Sequence, residues 1–231
     1  MSFESITNRG EFFSNHYLEA VLAGDLGDLR STWEDDEARG EATARSRLKG
    51  GATAFFAARA DAAEASGSNG DALGRLHGVV LGLLGFVPGR AVLEFKQNTE
   101  YLLDVPVAAS VDTSTGLLLV AVEAGNASSV DDLFDFDERQ LHTGTEQPGQ
   151  LRSPVMRNVD KRAVHSAADA VGEIYNTDDP PRYVLVLAGS VVLLAERAKW
   201  SEGRFLAVDL GLAFDRNDAS AKGELETIAA L

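Results

Sequence analysis

Two acidic residues, Asp112 and Glu123, are the strongest candidates for chemistry in this 231-residue chain. Asp112 precedes a turn, and Glu123 follows the apolar run at residues 117–122, which is typical of a central strand covered on both faces. Two carboxylates on neighbouring strands can bind Mg²⁺ together, and the metal ion can activate water and stabilise charge on a phosphate. This pair is therefore the candidate catalytic and metal-binding site.

The order of these acids is similar to the motif of PD-(D/E)XK nucleases, which place an Asp before or on one strand and E-x-K on the next. Here Gly125 stands where the motif has Lys, so a degenerate, non-cleaving fold is favoured over an active Mg²⁺-dependent endonuclease. A literal E-x-K occurs at residues 94–96, but its nearest upstream acid is Asp71, in a predicted helix. A solvated strand edge with alternating charges explains those residues equally well.

Several other kinds of site have no support in the sequence. The absence of cysteine excludes disulfides, thiolate nucleophiles and cysteine-ligated metals. Phosphate-binding loops, dinucleotide-binding loops, H-E-x-x-H and G-x-S-x-G motifs are all missing. The histidines lack metal-ligand spacing, and we interpret each as a surface or partly buried residue: His16, His77, His142 and His165.

Residues 178–183 (DDPPRY) approach the D/N-P-P-Y tetrad with which amino-group DNA methyltransferases hold a flipped base. Arg182 separates the prolines from Tyr183, so the tetrad is not met. Two consecutive prolines also end a helix before a strand, and that structural role explains them fully.

Charge and hydropathy limit the partners and the location. With 36 acidic and 21 basic side chains, the net charge is −15, which makes this a poor stand-alone nucleic-acid binder because phosphate binding depends on Lys and Arg. The amino terminus lacks the charged-then-apolar pattern of a signal peptide. The longest apolar stretch, residues 76–87, is too short to span a bilayer. We expect a cytoplasmic protein that does not enter a membrane.

Helical periodicity dominates the first third, and strand patterns follow. Asn8 and Glu11 resemble a capping box for a helix that Gly24 ends. Further helices are predicted at 41–65, with an interruption at 50–51, at 71–84 and at 160–175. Residues 139–158 are predicted to be irregular. Strands are predicted at 91–95, 101–109, 117–122, 183–188, 191–195 and 205–210, with a hairpin turn at Gly189-Ser190.

This order predicts an α/β (α+β) fold, in which amino-terminal helices precede a mixed sheet with packed helices. We place a helical part at residues 1–89 and a mixed-sheet, nuclease-like part at residues 90–231, and we expect the two to form one compact unit.

Three stretches carry a resemblance to a known family: residues 10–18 (GEFFSNHYL), 182–189 (RYVLVLAG) and 200–210 (WSEGRFLAVDL). They resemble the amino-terminal region of large bacterial type IIG-like restriction–modification DNA adenine methyltransferases and their relatives in anti-phage defence. The resemblance implies a parent protein that methylates adenine with S-adenosylmethionine, and in some relatives the amino-terminal part cleaves DNA. The cofactor loop and the N-P-P-Y tetrad of that family fall outside this chain, so none of its residues is assigned to the cofactor.

The last ten residues, 222–231, look like the start of a helix whose apolar side chains lack a packing partner. We therefore expect a truncated chain, with a methyltransferase part beyond Leu231 or in a separate chain as its partner and DNA reached through that complex. The leading hypothesis is a domain that supports or regulates the methyltransferase. The alternatives are a stand-alone acidic protein-interaction module without DNA chemistry and an active Mg²⁺-dependent endonuclease domain.

Overall fold

A mixed ten-stranded sheet organises the computed structural model, which describes residues 4–64, 71–98, 101–143, 146–220 and 223–231. The strands are β1 (Ile6–Arg9), β2 (Ala91–Gln97), β3 (Tyr101–Val107), β4 (Ala109–Thr113), β5 (Gly116–Ala127), β6 (Gln150–Arg157), β7 (Ala163–Ser166), β8 (Tyr183–Gly189), β9 (Val191–Glu196) and β10 (Phe205–Asp209). Their order across the sheet is β1-β10-β9-β8-β5-β6-β3-β2, with β4 also paired to β5 and β7 to β6.

Strand β5 connects the two halves of the sheet. It pairs antiparallel with β4 and parallel with β8, and it meets β6 at Ala124 and Leu151. The side chains of Val120 and Val122 enter one core cluster, whereas that of Leu119 enters the cluster on the opposite face. The predicted central strand, buried on both faces, is therefore confirmed.

Helices cover both faces of this sheet, so the fold is α/β. They are α1 (Leu22–Ala38), which follows a π-helical turn at Tyr17–Val21, α2 (Ala44–Glu64), α3 (Ala72–Leu84), α4 (Ala167–Tyr175), α5 (Arg197–Trp200), α6 (Leu210–Arg216) and α7 (Glu224–Ala230). Side chains of α2, α3, α6 and α7 contribute to one core cluster, and those of α4 contribute to the other. Among the described residues, no helix combines the length and the apolar character needed to cross a membrane.

Local signals predicted two elements well. Helix α3 begins after Asp71, whose carboxylate accepts a hydrogen bond from the Gly74 N–H, and it ends at Gly85, where φ is +91°. The predicted hairpin joins β8 to β9 in antiparallel register through Gly189, whose φ is +68°. Both ends of the helix and the turn depend on residues that are close in sequence.

Three predictions near the amino terminus are wrong. Asn8 lies in β1, and its side chain accepts from the Phe13 N–H and donates to the Phe13 carbonyl oxygen, so it does not cap a helix. Gly24 lies inside α1 and does not end it. Helix α2 continues through residues 50–51, where Gly51 lets Leu83 of α3 approach closely.

Three predictions in the second half also fail. The predicted helix at 160–175 begins only at Ala167, because residues 163–166 form β7 against β6. Strand β6 itself occupies much of the stretch predicted to be irregular. The apolar side chains of α7 do have packing partners, since Leu225 is 1% exposed and Ile228 is 6% exposed. Pairing and packing between distant segments determine all three.

Candidate functional site

The structure does not bring the two predicted site residues together. Strands β4 and β5 are antiparallel, and Asp112 lies opposite Leu117. Glu123 is six residues farther along β5, which corresponds to about 20 Å at the rise of an extended strand. Asp112 is exposed, whereas the Glu123 side chain is 15% exposed. The two carboxylates are therefore too far apart to bind one Mg²⁺ ion.

Glu123 belongs instead to a group that we call the Glu123 cluster, made of Asp71, His77, Arg90, Glu123 and Arg152. The Glu123 Oε1 atom lies 3.0 Å from His77 Nδ1 and 3.5 Å from Arg152 Nη1. Arg90 Nη2 approaches the same carboxylate at 3.3 Å. Three nitrogen donors thus surround one carboxylate on the central strand.

His77 has a defined tautomer in this cluster. Its ring is completely buried, and Nε2 lies 2.9 Å from the main-chain nitrogen of Gly189. Because a backbone N–H can only donate, Nε2 is the acceptor and carries no proton. The proton of the neutral ring is therefore on Nδ1, from which it is donated to Glu123. This arrangement joins α3 to β5 and to the β8–β9 turn.

Asp71 holds the two arginines on the other side of the cluster. Its Oδ1 atom lies 2.6 Å from Arg152 Nη2, and its Oδ2 atom lies 2.5 Å from Arg90 Nη1. Burial raises the pKa of Asp71, but the hydrogen bonds from Arg90 and Arg152 outweigh that effect and lower the pKa to about 2. Asp71 is therefore an anion that fixes both guanidinium groups.

The ionisation of Glu123 follows from the same balance. Burial raises its pKa, but the hydrogen bond from His77 and the charges of Arg90 and Arg152 together hold the pKa below its usual value. Glu146 adds a further carboxylate 3.3 Å from Arg152 Nε. Glu123 is consequently ionised at neutral pH, so it is a poor proton donor.

Four members of the Glu123 cluster, Asp71, Arg90, Glu123 and Arg152, line a cavity of about 340 Å³. Val92, Pro106 and Val107, from β2 and β3, form an apolar part of the lining. The described residues contain no group of three or more His, Cys, Asp or Glu side chains that could hold a metal ion. The guanidinium groups of Arg90 and Arg152 balance the carboxylates of this cavity.

The position where the nuclease motif has Lys has no space for a side chain. A Cβ atom on Gly125 would lie 2.2 Å from the Gln147 carbonyl oxygen, and Gly125 forms an isolated β-bridge with Pro148. Any side chain at residue 125 requires this backbone segment to shift. Close approach of two backbones explains the glycine.

Sequence reasoning identified Glu123 but missed the residues that surround it. The interpretation of His77 as a surface or partly buried residue is wrong, because its ring is completely buried. One signal was available: a single histidine in the apolar stretch 76–84 needs a hydrogen-bonding partner if that helix is buried. Arg90 and Arg152 gave no comparable signal, since their proximity depends on strand pairing.

The DDPPRY stretch has a structural role at the end of β2. The Asp178 N–H donates to the Lys96 carbonyl oxygen at 2.8 Å, and the Asp178 carboxylate accepts from the Asn98 N–H at 2.9 Å. Arg182 stacks on Tyr183 and forms an ion pair with Glu196. These contacts agree with the reading of this stretch as a turn before β8.

A second, more apolar cavity of about 550 Å³ lies on the sheet face that carries α2, α3 and α7. Leu48, Leu83, Tyr183, Leu194 and Ile228 are among its lining residues. It shares none of its lining with the cavity beside the Glu123 cluster.

Comparisons with protein-family models, with curated proteins and with solved structures find no significant match to this chain. The functional conclusion therefore depends on the geometry of the Glu123 cluster and on the resemblance carried by the three sequence stretches.

Proposed function

We propose that this chain is a non-cleaving, nuclease-like domain of a DNA restriction–modification protein, and that it supports or regulates an adenine methyltransferase by protein contact. The three stretches at residues 10–18, 182–189 and 200–210 support the parentage. In this proposal S-adenosylmethionine binds to the methyltransferase part, which lies in the parent protein or a separate chain, and DNA is reached through that complex.

The main support for a non-cleaving role is that other side chains already contact the Glu123 carboxylate. A Mg²⁺ ligand needs oxygen lone pairs directed at the ion, but here His77, Arg90 and Arg152 surround those oxygens. The predicted second ligand, Asp112, lies about 20 Å away along the strands, and the nearby carboxylate of Asp71 is itself engaged by Arg90 and Arg152. The version with active Mg²⁺-dependent cleavage thus has little geometric support.

A cleavage assay tests this part of the proposal. Purified protein is incubated with unmodified plasmid DNA and Mg²⁺ or Mn²⁺, beside the variants Asp112→Ala and Glu123→Gln. We expect the DNA to stay uncut in all three reactions. Metal-dependent cutting by the wild-type protein that Glu123→Gln abolishes would contradict the proposal.

A methylation assay tests the supporting role. The adenine methyltransferase encoded next to or in frame with this chain is measured for methyl transfer from S-adenosylmethionine to DNA, with and without this domain. The proposal predicts a change in rate or in DNA affinity when the domain is present. Equal rates and equal affinities would reject the supporting role.

A stand-alone acidic protein-interaction module is the second candidate, favoured by the net charge of −15 and by the acidic surface of α1. DNA binding at low ionic strength, measured with the adenine methyltransferase alone and with this chain added, separates the two candidates. Even weak phosphate contacts are measurable at low salt. A methyltransferase–DNA complex that the chain neither joins nor alters would favour the interaction module.

A further inference from the structure

Strand β2 has an open edge. It is at the end of the sheet and pairs only with β3 among the described residues. Its partner across from Val92 is Pro106, which has no N–H, so this pair occupies a non-hydrogen-bonded site of the antiparallel ladder. The main-chain groups of Val92, Glu94 and Lys96 therefore point away from β3. The bond from the Asp178 N–H to the Lys96 carbonyl agrees with that direction.

Only part of this edge is available. Asp178 already engages Lys96 and Asn98 at the carboxyl end of β2. Within the described parts of the chain, no hydrogen bond outside the β2–β3 pairing involves the main chain of Val92 or Glu94. Exposed edges of this kind are normally protected, because their unpaired N–H and C=O groups can bind another strand.

The side chains along the edge indicate which charge a strand added there should have. Glu94 lies directly opposite Asp104, and like charges in that position are destabilising. Asp104 accepts a hydrogen bond from the Asn158 amide at 3.2 Å. Neither carboxylate forms an ion pair with any residue that the structure describes, and Lys96, the next residue on this face, pairs with neither. A cation beside Glu94 would reduce the repulsion.

The edge also has an exposed apolar side chain two residues before Glu94. Val92 is 61% exposed and lines the 340 Å³ cavity together with Pro106. Because side chains alternate along a strand, Val92 and Glu94 face the same side. A strand added to this edge would place side chains two residues apart next to these two positions.

We propose that the free edge of β2 binds an extended segment of a protein partner, in which an apolar residue and a basic residue are separated by one position. The segment would bond to the main chain of Val92 and Glu94, with its apolar side chain on Val92 and its basic side chain beside Glu94 and Asp104. This mode is β-strand addition. The inference rests on the proposed function in that both require a protein partner, and it specifies the surface and the chemistry.

A second copy of this chain fits the edge less well. Antiparallel pairing of two β2 strands centred on Glu94 places that carboxylate opposite itself. Pairing centred on Leu93 places Lys96 opposite Arg90. Pairing centred on Phe95 would join Glu94 to Lys96, but it uses the Lys96 carbonyl that Asp178 already engages. Each of these three registers thus has a like-charge or hydrogen-bonding conflict. The register centred on Val92 places Glu94 opposite Arg90, whose guanidinium group Asp71 and Glu123 already engage.

The test uses two synthetic peptides and the complete ¹⁵N-labelled chain. Both peptides are eight-residue Thr-rich extended sequences with Lys-Thr-Val or Glu-Thr-Val at the centre, the order in which antiparallel pairing places Val on Val92 and the charged residue beside Glu94. We expect the Lys peptide to shift the amide signals of Val92 and Glu94 and to slow their hydrogen exchange. The Glu peptide should bind about fivefold more weakly, the effect of one reversed cross-strand charge pair.

Two variants keep the inference falsifiable. Val92→Pro removes the outward N–H at a position where an edge strand tolerates proline, and it should abolish binding. Glu94→Lys should invert the preference so that the Glu peptide binds more tightly, and Val159→Ala, another exposed valine, is the matched control that should change nothing. Three results would overturn the inference. They are peptide binding that Glu94→Lys does not change, amide shifts confined to the 550 Å³ cavity, and self-association through β2.

The outcomes also separate this inference from the proposed function. If neither peptide binds β2 but the domain still changes methylation by its partner, only the edge-strand inference fails. If the Lys peptide binds as described but methylation is unchanged by the domain, the supporting role fails and the binding edge remains.

Discussion

Glu226 and Glu123 are each engaged by a pair of arginines, and the comparison shows what distinguishes these two carboxylates. In the interior, Glu226 of α7 accepts bonds from Arg30 Nε at 3.1 Å and Nη2 at 2.7 Å, and Arg45 lies 3.6 Å away. On the central strand, Glu123 meets Arg90 and Arg152 in a similar way. The Glu226 side chain is 1% exposed and connects α7 to α1 and α2, whereas the Glu123 side chain is 15% exposed beside a cavity.

The likeness of these two arrangements teaches that charge pairing alone does not mark an active site. Buried carboxylates require cationic or hydrogen-bonding partners wherever they occur. Glu226 has such partners at a helix junction, and Glu123 has them beside a cavity. The cavity, the buried histidine and the open β2 edge are what make the Glu123 side the better candidate for function.

The largest expected effect comes from breaking the interior arrangement. Glu226→Ala leaves Arg30 and Arg45 near the core without their shared carboxylate, and removing one partner of a buried pair costs about 3–5 kcal/mol. Urea denaturation measures the free energy of unfolding. A loss below about 1 kcal/mol would show that this pair behaves like a surface ion pair and would invalidate the contrast.

Truncation of His77 should have the next largest effect. His77→Ala removes a buried ring and leaves the Gly189 N–H without its acceptor, which together cost about 2–4 kcal/mol. The same denaturation experiment applies, with His165→Ala, a partly exposed histidine, as the matched control. The tautomer is checked separately by ¹⁵N NMR of the ring, where we expect a protonated Nδ1 and an unprotonated Nε2. A protonated Nε2 would contradict the assigned hydrogen bonds.

Glu123→Ala should destabilise the protein less than Glu226→Ala. Arg90 is 58% exposed and can be hydrated after the carboxylate is removed, and Asp71 still holds both arginines. We expect a loss of about 1–3 kcal/mol in the free energy of unfolding. If Glu123→Ala costs as much as Glu226→Ala, the two arrangements do not differ in the way that their exposures indicate.

The smallest effect concerns the pH dependence contributed by Asp71. Its folded-state pKa of about 2 is below the ordinary value of 3.8, so its contribution is present above about pH 4 and is lost as the pH falls toward 2. Solvent screening at this partly exposed carboxylate limits the contribution to about 1 kcal/mol. The gap in unfolding free energy between the wild type and Asp71→Asn should therefore narrow between pH 5 and pH 2.5. A constant gap would show that the ion pairs of Asp71 do not contribute.

Local patterns predicted the parts of the fold that depend on adjacent residues. The apolar run at 117–122 lies in β5, as its composition predicted, and Gly189 lies in the β8–β9 turn, as its backbone freedom predicted. Strands β1 and β6 were missed, since their stability comes from pairing with segments far away in sequence.

The same limit applies to the candidate site. Glu123 was identified as the residue that follows a buried strand, which is a local property. Its partners His77 and Arg152 come from α3 and β6, and strand register separates it from Asp112. Neither a register nor a contact between distant segments can be read from the residue types alone.

A Mn²⁺ titration followed by NMR tests the structural role of Glu123 most directly. Paramagnetic broadening by a bound ion is strongest at the amides nearest to it, so metal binding by Glu123 would broaden the signals of residues 122–124. Because His77, Arg90 and Arg152 engage that carboxylate, we predict no localised broadening there in the wild-type protein. Saturable broadening centred on Glu123, and its loss in Glu123→Gln, would contradict the prediction and identify a metal site.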